Sequence, residues 1–428
     1  MKKKFEQLKQ DVWQNFSEND LYITSILKSP KLYDTELYKF CEAMPKGADL
    51  HSHGGAMTPV RHLIDFVIRK EELLIDTDPE HKGYLQLANK NPGASYMPLR
   101  QALDEGLLTK DELYKSWTLI GCPNNMDIWD WFQDLFVKHN DLNEIGPTCK
   151  DYFQNAFEYY CSQNISHIEI RLFLKGSESD ASKKAHCVFD AYIETKKKYP
   201  NLTVRAIPVG LKSNVFDLDV TEEIYQNTVK MHHQIKDNGD DFFVGIDLVN
   251  EEDSSRSISE FENLIHKTLK KAPGLNVDLH AGESTSPNNN EIKKALSLDT
   301  KRIGHGLNLW AHPELKNIIK NKGVCLEVCP ISNQSLGFCD DLRNHPAKDY
   351  LREGIPIALC SDDPTYQENN SLTDDFFMAI LAWDLKLDEV VQLSSNSIKY
   401  SFLNRKNKVN KLKLWQKDWE KFVNDWKD

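Results

Sequence analysis

The feature that most constrains this 428-residue chain is an alternation of short apolar runs with amphipathic helical segments. The apolar runs are typical of buried strands, and eight of them follow one another: residues 48–50, 165–171, 204–209, 242–249, 277–280, 302–305, 324–329 and 355–360. Helical periodicity fills several intervals: residues 184–199, 221–236 and 257–271. Eight strands alternating with helices predict an α/β fold, the (β/α)8 or TIM barrel.

The predicted barrel spans residues 41–405 and has a helical segment at each end. Apolar residues recur at helical spacing near the start of the chain: Phe5, Leu8, Val12, Trp13 and Phe16. Residues 1–40 are therefore expected to form a helical extension that caps the barrel or makes an oligomer contact, with a homodimer as one such assembly. A polar insertion of residues 76–125, after the first strand, has the length of a lid or binding loop. Residues 406–428 are expected to form a solvated helical tail.

Composition and charge argue against several classes of partner. The net charge of −12 and the pI near 5.7 disfavour a nucleic-acid binder, which needs a basic face. The first residues lack the apolar stretch of a signal peptide, and no run approaches a membrane span. The nine cysteines show no C-x-x-C spacing and are typical of reduced thiols. We therefore expect a cytoplasmic protein with neither a nucleic acid nor a membrane as partner.

The first predicted strand ends in His51-Ser-His53, and side chains two apart in a strand point the same way. For an isolated His-x-His, a pair of loop histidines is the ordinary alternative. Three later strands favour a metal site instead, because each also ends in a polar residue suited to chemistry: His280, His305 and the pair Asp362 and Asp363. The carboxyl ends of barrel strands meet at one mouth, so these side chains are expected to lie together.

Three imidazoles, those of His51, His53 and His280, with one carboxylate form a ligand set suited to zinc, with a position open for water. A metal held in this way lowers the pKa of its water towards neutrality. The fourth predicted strand contains no lysine to bridge two metals, so we expect one zinc per chain. Zinc deaminases with cysteine ligands do not fit, because the sequence lacks their H-x-E and P-C-x-x-C motifs.

Other polar residues at this mouth are candidates for proton transfer and substrate binding. Glu283 is a candidate general acid and base, with capping of the following helix as the alternative. His305 is expected to orient or deprotonate the attacking water, unless it is an ordinary core histidine. Of Asp362 and Asp363, one is expected to bind metal and the other substrate.

An aromatic helical stretch, residues 128–136, is either plain core packing or a wall of the substrate pocket. Its candidate substrate-binding residues are Trp129, Phe132 and Phe136.

Six stretches together resemble the adenosine deaminase family: residues 44–53, 280–283, 302–306, 327–334, 341–346 and 361–364. The stretches Pro330-Ile-Ser-Asn-Gln334 and Asp341-Leu-Arg-Asn-His-Pro346 are most similar to its adenosine deaminase-related growth factor branch. The resemblance runs over residues 40–402. It implies a zinc barrel that hydrolyses the 6-amino group of a purine nucleoside, adenosine or 2′-deoxyadenosine, to give inosine or its deoxy form and ammonia.

The resemblance also implies a role for each residue of the mouth. Zinc would be held by His51, His53, His280 and Asp362. Three further residues would act on the substrate or the water: Glu283 would protonate the purine ring, His305 would act on the attacking water, and Asp363 would hydrogen-bond the purine.

Two departures from the family concern the substrate. Gly54 and Gly55 stand where family members usually carry an acid that contacts ribose, and Asn250 stands where they carry a glycine whose backbone meets the purine. Two alternatives therefore stay open. One is a deaminase of another 6-aminopurine, such as adenine, an N6-substituted adenine or an adenine nucleotide. The other is a catalytically silent relative used for binding.

Overall fold

The computed structural model describes residues 1–16, 30–143, 147–215 and 218–426. Its centre is a sheet of eight strands, all parallel and ordered as they occur in the chain. They are β1 (Gly47–His53), β2 (Ile165–Leu172), β3 (Thr203–Leu211), β4 (Gly245–Val249), β5 (Asn276–Ala281), β6 (Arg302–His305), β7 (Cys325–Val328) and β8 (Ile357–Leu359). Each contains or overlaps one of the apolar runs in the sequence, because burial on both faces demands nearly continuous apolar sequence.

The sheet closes on itself between β1 and the residues that follow β8. Ser52 and Asp362 form a parallel bridge. The N–H of His53 donates to the carbonyl of Asp362 at 3.0 Å, and the N–H of Asp362 donates to the carbonyl of His51 at 2.9 Å. The predicted (β/α)8 barrel is confirmed, and its closure sets two histidines beside an aspartate.

Helices alternate with the strands and cover the outside of the barrel. They are α1 (Lys2–Asn15), α2 (Glu36–Ala43), α3 (Val60–Val67), α4 (Leu99–Asp104), α5 (Lys110–Ser116), α6 (Ile128–Lys138), α7 (Pro147–Ser162), α8 (Glu178–Lys198), α9 (Leu218–Gln234), α10 (Glu262–Lys271), α11 (Glu291–Ser297), α12 (Pro313–Lys322), α13 (Pro330–Ser335), α14 (Ala347–Arg352), α15 (Pro364–Gln367), α16 (Leu372–Ala382), α17 (Leu387–Lys399) and α18 (Arg405–Asp425). The helical periodicity noted in the sequence between strands corresponds to α8, α9 and α10.

A layer of buried charged side chains crosses the interior of the barrel. It consists of Glu169, Arg171, Asp247, Asp278, Arg302 and Glu327. Arg171 pairs with Asp278 at 2.8 Å and with Glu327 at 2.5 Å. Removing one partner of a buried pair typically costs about 3–5 kcal/mol, because the other charge is left without compensation. The layer therefore fixes the relative positions of the strands that carry the mouth residues.

The insertion after β1 contains a small sheet of its own. Its three antiparallel strands are Leu73–Asp76, Leu85–Leu87 and Tyr96–Pro98, and α4 and α5 follow them. A capping box between Thr109 and Glu112 starts α5. The insertion lies over the mouth of the barrel. Its Tyr84 and Tyr96 line a cavity that also contains His53 and His280, at the ends of β1 and β5.

The two ends of the described chain pack against the same part of the core. Phe40 of α2 lies with ring centroids 5.2 Å from Phe5 of α1 and 5.0 Å from Phe422 of α18. Trp419 and Phe422 are buried, so the expectation of a wholly solvated tail is wrong for one face of α18. Part of the predicted N-terminal extension, residues 17–29, lies outside the described residues. None of the helices in the described ranges has the length and apolar character needed to span a bilayer.

Candidate active site

Four side chains from three places in the barrel converge at the carboxyl ends of the strands. The ligand atoms of His51, His53, His280 and Asp362 all lie within 4.8 Å of one another. Asp362 Oδ1 is 3.2 Å from His53 Nε2 and 3.4 Å from His51 Nε2. His51 Nε2 is buried and forms no hydrogen bond to any described residue. A ring nitrogen left without a hydrogen-bond partner among three imidazoles and a carboxylate fits a zinc-like divalent cation.

Two of the histidines are oriented by carboxylates of the buried charged layer. His51 Nδ1 lies 2.9 Å from Glu327 Oε2, and His280 Nδ1 lies 2.8 Å from Asp247 Oδ2. These contacts leave both Nε2 atoms directed at the centre of the cluster, an arrangement usual for metal-binding histidines. Burial lowers the pKa of His280 to about 4, so its ring is neutral at physiological pH.

The pKa values of His51 and Asp362 depend on the charged residues around them. Burial opposes a positive charge on His51, but the carboxylates of Asp362 and Glu327 outweigh it and raise its pKa to about 9. A metal that binds Nε2 therefore displaces a proton. Burial also opposes ionisation of Asp362, yet the adjacent imidazoles of His51 and His53 hold its pKa well below the usual value.

Glu283 is buried next to the cluster, beyond a glycine that sets the turn after β5. Gly282 has a φ of +77°, and a Cβ there would lie 2.5 Å from Ile292 Cδ1, so both backbone conformation and space require glycine. Glu283 Oε1 forms no hydrogen bond to a described residue. Burial and the charge of Asp362 raise the pKa of Glu283 well above its ordinary value. A raised pKa suits a carboxyl to act as a general acid.

His305 lies against the cluster, in contact with Glu283. Its ring centroid is 5.1 Å from those of His51 and His280, and its Nε2 is 3.5 Å from Glu283 Oε1. The residue before His305 is a glycine, and His51 packs closely against it: a Cβ on Gly304 would be 3.0 Å from His51 Cε1. Burial lowers the pKa of His305 well below its ordinary value, so the ring is neutral.

Asp363 and Asn250 occupy the positions expected for substrate contacts. Both line a cavity of about 660 Å³ that also contains Glu283 and His305, a volume typical of small-molecule sites. Burial and the adjacent charge of Asp362 raise the pKa of Asp363 well above its ordinary value. Asn250 has a φ of +139°, a conformation that favours glycine. Glycine would therefore adopt this backbone conformation with less strain than asparagine.

The aromatic stretch forms both a wall of this cavity and a small apolar cluster. Trp129, Phe132 and Phe136 of α6 all line the cavity. Phe136 also packs on Tyr366, with ring centroids 4.8 Å apart. The Asp127 side chain accepts the N–H of Trp129 at 2.8 Å and caps the start of α6. The two interpretations of this stretch are therefore compatible.

Sequence reasoning missed the residues that hold the predicted site residues in place. They are Asp247, Glu327 and Asn333, whose side chains contact His280, His51 and His305, respectively. For Asp247 and Glu327, the signal in the sequence was a single charged residue inside an otherwise apolar strand, as in Ile246-Asp-Leu248 and Leu326-Glu-Val328.

Comparisons with known proteins identify the family of the chain. The sequence model of the family described as adenosine deaminase matches residues 112–416. Adenosine deaminase 2 of Dictyostelium discoideum is 28% identical over 440 residues, which cover 96% of this chain and 79% of that protein. Adenosine deaminase 2 of Homo sapiens is 28% identical, covering 91% of this chain and 81% of that protein.

A solved structure with a similar fold is an adenine deaminase from Arthrobacter aurescens, with a TM-score of 0.64 and 20% identity over 88% of this chain and 99% of that one. An amidohydrolase from Burkhoderia ambifaria, solved with bound Zn, has a TM-score of 0.64 and 16% identity over 91% of this chain and 95% of that one. The family match spans more than half of the sequence, so the resemblance is confirmed: this chain belongs to the adenosine deaminase family and is a hydrolytic deaminase of adenosine-like purines.

Proposed function

We propose that the protein is a zinc-dependent deaminase that converts adenosine or 2′-deoxyadenosine to inosine or 2′-deoxyinosine, with release of ammonia. The observation that carries the proposal is the convergence of His51, His53, His280 and Asp362 beside Glu283, a buried carboxyl whose pKa is raised. The bound Zn of the Burkhoderia amidohydrolase, whose fold is similar, supports the choice of metal.

Each residue of the site has a separate role in the proposed reaction. When bound, zinc supplies Lewis-acid activation of water. Glu283 donates its proton to the purine ring, which makes C6 a better electrophile. The oxygen of one water bonds to C6, one proton of that water goes to the Glu283 carboxylate and the other to the amino group, the C6–N6 bond breaks, and ammonia leaves. Protonated Asp363 donates a hydrogen bond to the purine, and the backbone of Asn250 borders the base.

An adenine deaminase among the proteins of similar fold supports one alternative, in which the free base is the substrate. The N6-substituted adenines and adenine nucleotides are further alternatives within the same chemistry. An absorbance screen of purified protein against adenosine, 2′-deoxyadenosine, adenine and AMP separates them. We expect turnover of both nucleosides; turnover of adenine alone, or of AMP alone, would favour the corresponding alternative.

Metal analysis tests the ligand assignment. We expect one zinc per chain in the wild-type protein and little zinc after His280→Ala, with a lower melting temperature because metal binding stabilises the folded state. Two tightly bound metals per chain, or full zinc content in the variant, would contradict it. The homodimer, the cytoplasmic location and the domain boundaries stay predictions.

A further inference from the structure

A row of buried hydrogen bonds leads from a backbone amide to His305. The Ala347 N–H donates to His345 Nδ1 at 3.1 Å, His345 Nε2 lies 3.2 Å from Asn333 Oδ1, and Asn333 Nδ2 lies 3.2 Å from His305 Nδ1. The three side chains are buried. Asn333 and His345 belong to the two stretches, residues 330–334 and 341–346, that carry the resemblance to the growth factor branch but had no assigned role.

The backbone amide sets the direction of every proton in this row, because an N–H donates and does not accept. His345 Nδ1 must therefore accept, and the neutral ring of His345 carries its proton on Nε2. That proton is donated to Asn333 Oδ1, which turns the amide N–H groups of Asn333 towards His305. His305 Nδ1 accepts in turn, so a neutral His305 carries its proton on Nε2.

We propose that Asn333 and His345 are positioning residues that hold His305 in the tautomer with its proton on Nε2. The proposal rests on the function proposed above. Nε2 is the atom that faces Glu283, at 3.5 Å. A nitrogen that already carries a proton donates a hydrogen bond and does not remove a proton from water. We therefore expect His305 to orient the attacking water and not to deprotonate it.

The residues around His305 disfavour the tautomer with its proton on Nδ1. A proton on Nδ1 would face the N–H groups of Asn333, which places two donors against each other in a buried site. Asn333 has little freedom to turn over, because the opposite amide orientation would set its N–H groups against the Nε2 proton of His345. The ring of His345 is itself packed against Trp383, with centroids 5.4 Å apart.

The first experiment reads the tautomer directly by ¹⁵N NMR of protein labelled with ¹⁵N-histidine. The His305 signals are identified by their loss in His305→Gln. At neutral pH we expect a protonated Nε2 and an unprotonated Nδ1 in the wild-type protein, and the reverse in Asn333→Asp, whose carboxylate accepts from Nδ1. A protonated Nδ1 in the wild-type protein would overturn the proposal. The readout needs no substrate, so it stands apart from the proposed function.

The second experiment measures turnover. His345→Leu removes the donor to Asn333. By analogy with the loss of a hydrogen-bond partner of a metal-binding histidine, we expect kcat to fall about 10–100-fold, with KM changed less than about threefold. Zinc content should be unchanged. His345→Gln keeps an N–H for Asn333 and should retain kcat within about threefold.

Asn396→Leu is the matched control. The buried amide of Asn396 donates to the Ile357 carbonyl at 2.9 Å, at the start of β8 and away from the mouth. Its loss should lower the melting temperature and leave kcat unchanged. Equal kcat in His345→Leu and the wild-type protein would overturn the positioning role. A wild-type protein that deaminates no 6-aminopurine would contradict the proposed function, and the NMR result would still decide the tautomer.

Discussion

Two carboxyl groups at the mouth of the barrel hold opposite protonation states because their neighbours differ. Asp362 lies 3.4 Å from His51 Nε2 and 3.2 Å from His53 Nε2, and these rings hold its pKa low, whereas burial beside that negative charge raises the pKa of Glu283. The group suited to hold a cation is charged, and the group suited to donate a proton carries one. Separated pKa values of this kind are a usual basis for acid–base catalysis.

Glu283→Gln tests the proton transfer. Glutamine keeps the shape of the side chain and has no acidic proton, so we expect kcat to fall by about 10²–10⁴-fold. The zinc content should remain one per chain, because Glu283 is not among the four clustered ligands. Steady-state kinetics with adenosine and metal analysis of the same sample measure both. A kcat within a few-fold of wild type would assign the acid to another residue.

Residues at strand ends could be recognised from the sequence, and residues inside strands could not. His51, His280 and Asp362 stand out because a polar group follows directly after an apolar run, and the barrel brings such ends together. Glu327 and Asp247 lie inside β7 and β4, and their roles depend on which strands are neighbours and on register. Asn333 lies on helix α13 and contacts His305 at the end of β6, a contact that no local pattern reveals.

At the level of whole elements, the barrel strands, which lie in apolar runs, were predictable, and the strands of the insertion were not. Every barrel strand coincides with an apolar run, since burial on both faces leaves a strong pattern. The sheet in the insertion has strands of three or four residues, too short for a periodic signal and dependent on pairing with one another. In α18, Trp419 and Phe422 are buried within a lysine-rich sequence whose average polarity indicated a solvated helix.

Helix α6 offers a prediction at this scale, because adjacent residues face different surroundings. Phe136 lines the cavity, whereas Leu135 is buried in the small apolar cluster behind it. Phe136→Ala is expected to raise KM for adenosine roughly tenfold with little change in kcat, since an aromatic wall binds substrate and transition state alike. Leu135→Ala is the control, expected to lower the free energy of unfolding by about 2–5 kcal/mol with KM unchanged. Equal KM values for both variants would show that α6 is packing alone.

The stability of the whole molecule should depend on the protonation of buried histidines. Burial lowers the pKa of His345 to about 3, against about 6.5 for an unfolded histidine. Between these values the unfolded chain binds a proton that the folded chain does not, so the stabilisation present above pH 6.5 is lost as pH falls. The loss is about 1.4 kcal/mol per pH unit.

His345→Gln isolates this contribution. Buried carboxyls with raised pKa values, such as Asp374 at about 6, change stability in the opposite direction, but they are common to both proteins. We therefore expect the free energy of unfolding of wild type, relative to the variant, to decrease by about 1.4 kcal/mol per pH unit below pH 6.5. Urea unfolding of both proteins without metal, at several pH values, measures it. A difference that does not vary with pH would show that His345 is charged in the folded protein.

The shape of the whole cavity leads to the last prediction, which concerns the sugar. The turn after β1 packs tightly against β2: the Gly54 N–H donates to the Arg171 carbonyl at 2.9 Å, and a Cβ on Gly54 would lie 3.3 Å from the ring of Phe153. An acidic side chain at Gly54 would therefore require Phe153 to move. With glycine at this position and at Gly55, no carboxylate there selects a ribose hydroxyl.

A buried polar partner for a substrate hydroxyl can reject analogues that lack it by about 10⁴–10⁵-fold, whereas shape alone discriminates far less. We therefore expect kcat/KM for adenosine, 2′-deoxyadenosine and 5′-deoxyadenosine to agree within roughly tenfold. Without an acid at Gly54 or Gly55 to repel a phosphate, AMP, which carries a larger group on the ribose, is expected to be accepted as well. Initial rates with adenosine, 2′-deoxyadenosine, 5′-deoxyadenosine and AMP measure these kcat/KM values. A drop of more than about a thousandfold on removal of one hydroxyl would show that another residue of the cavity wall, from the insertion or α6, binds the ribose in place of the missing acid.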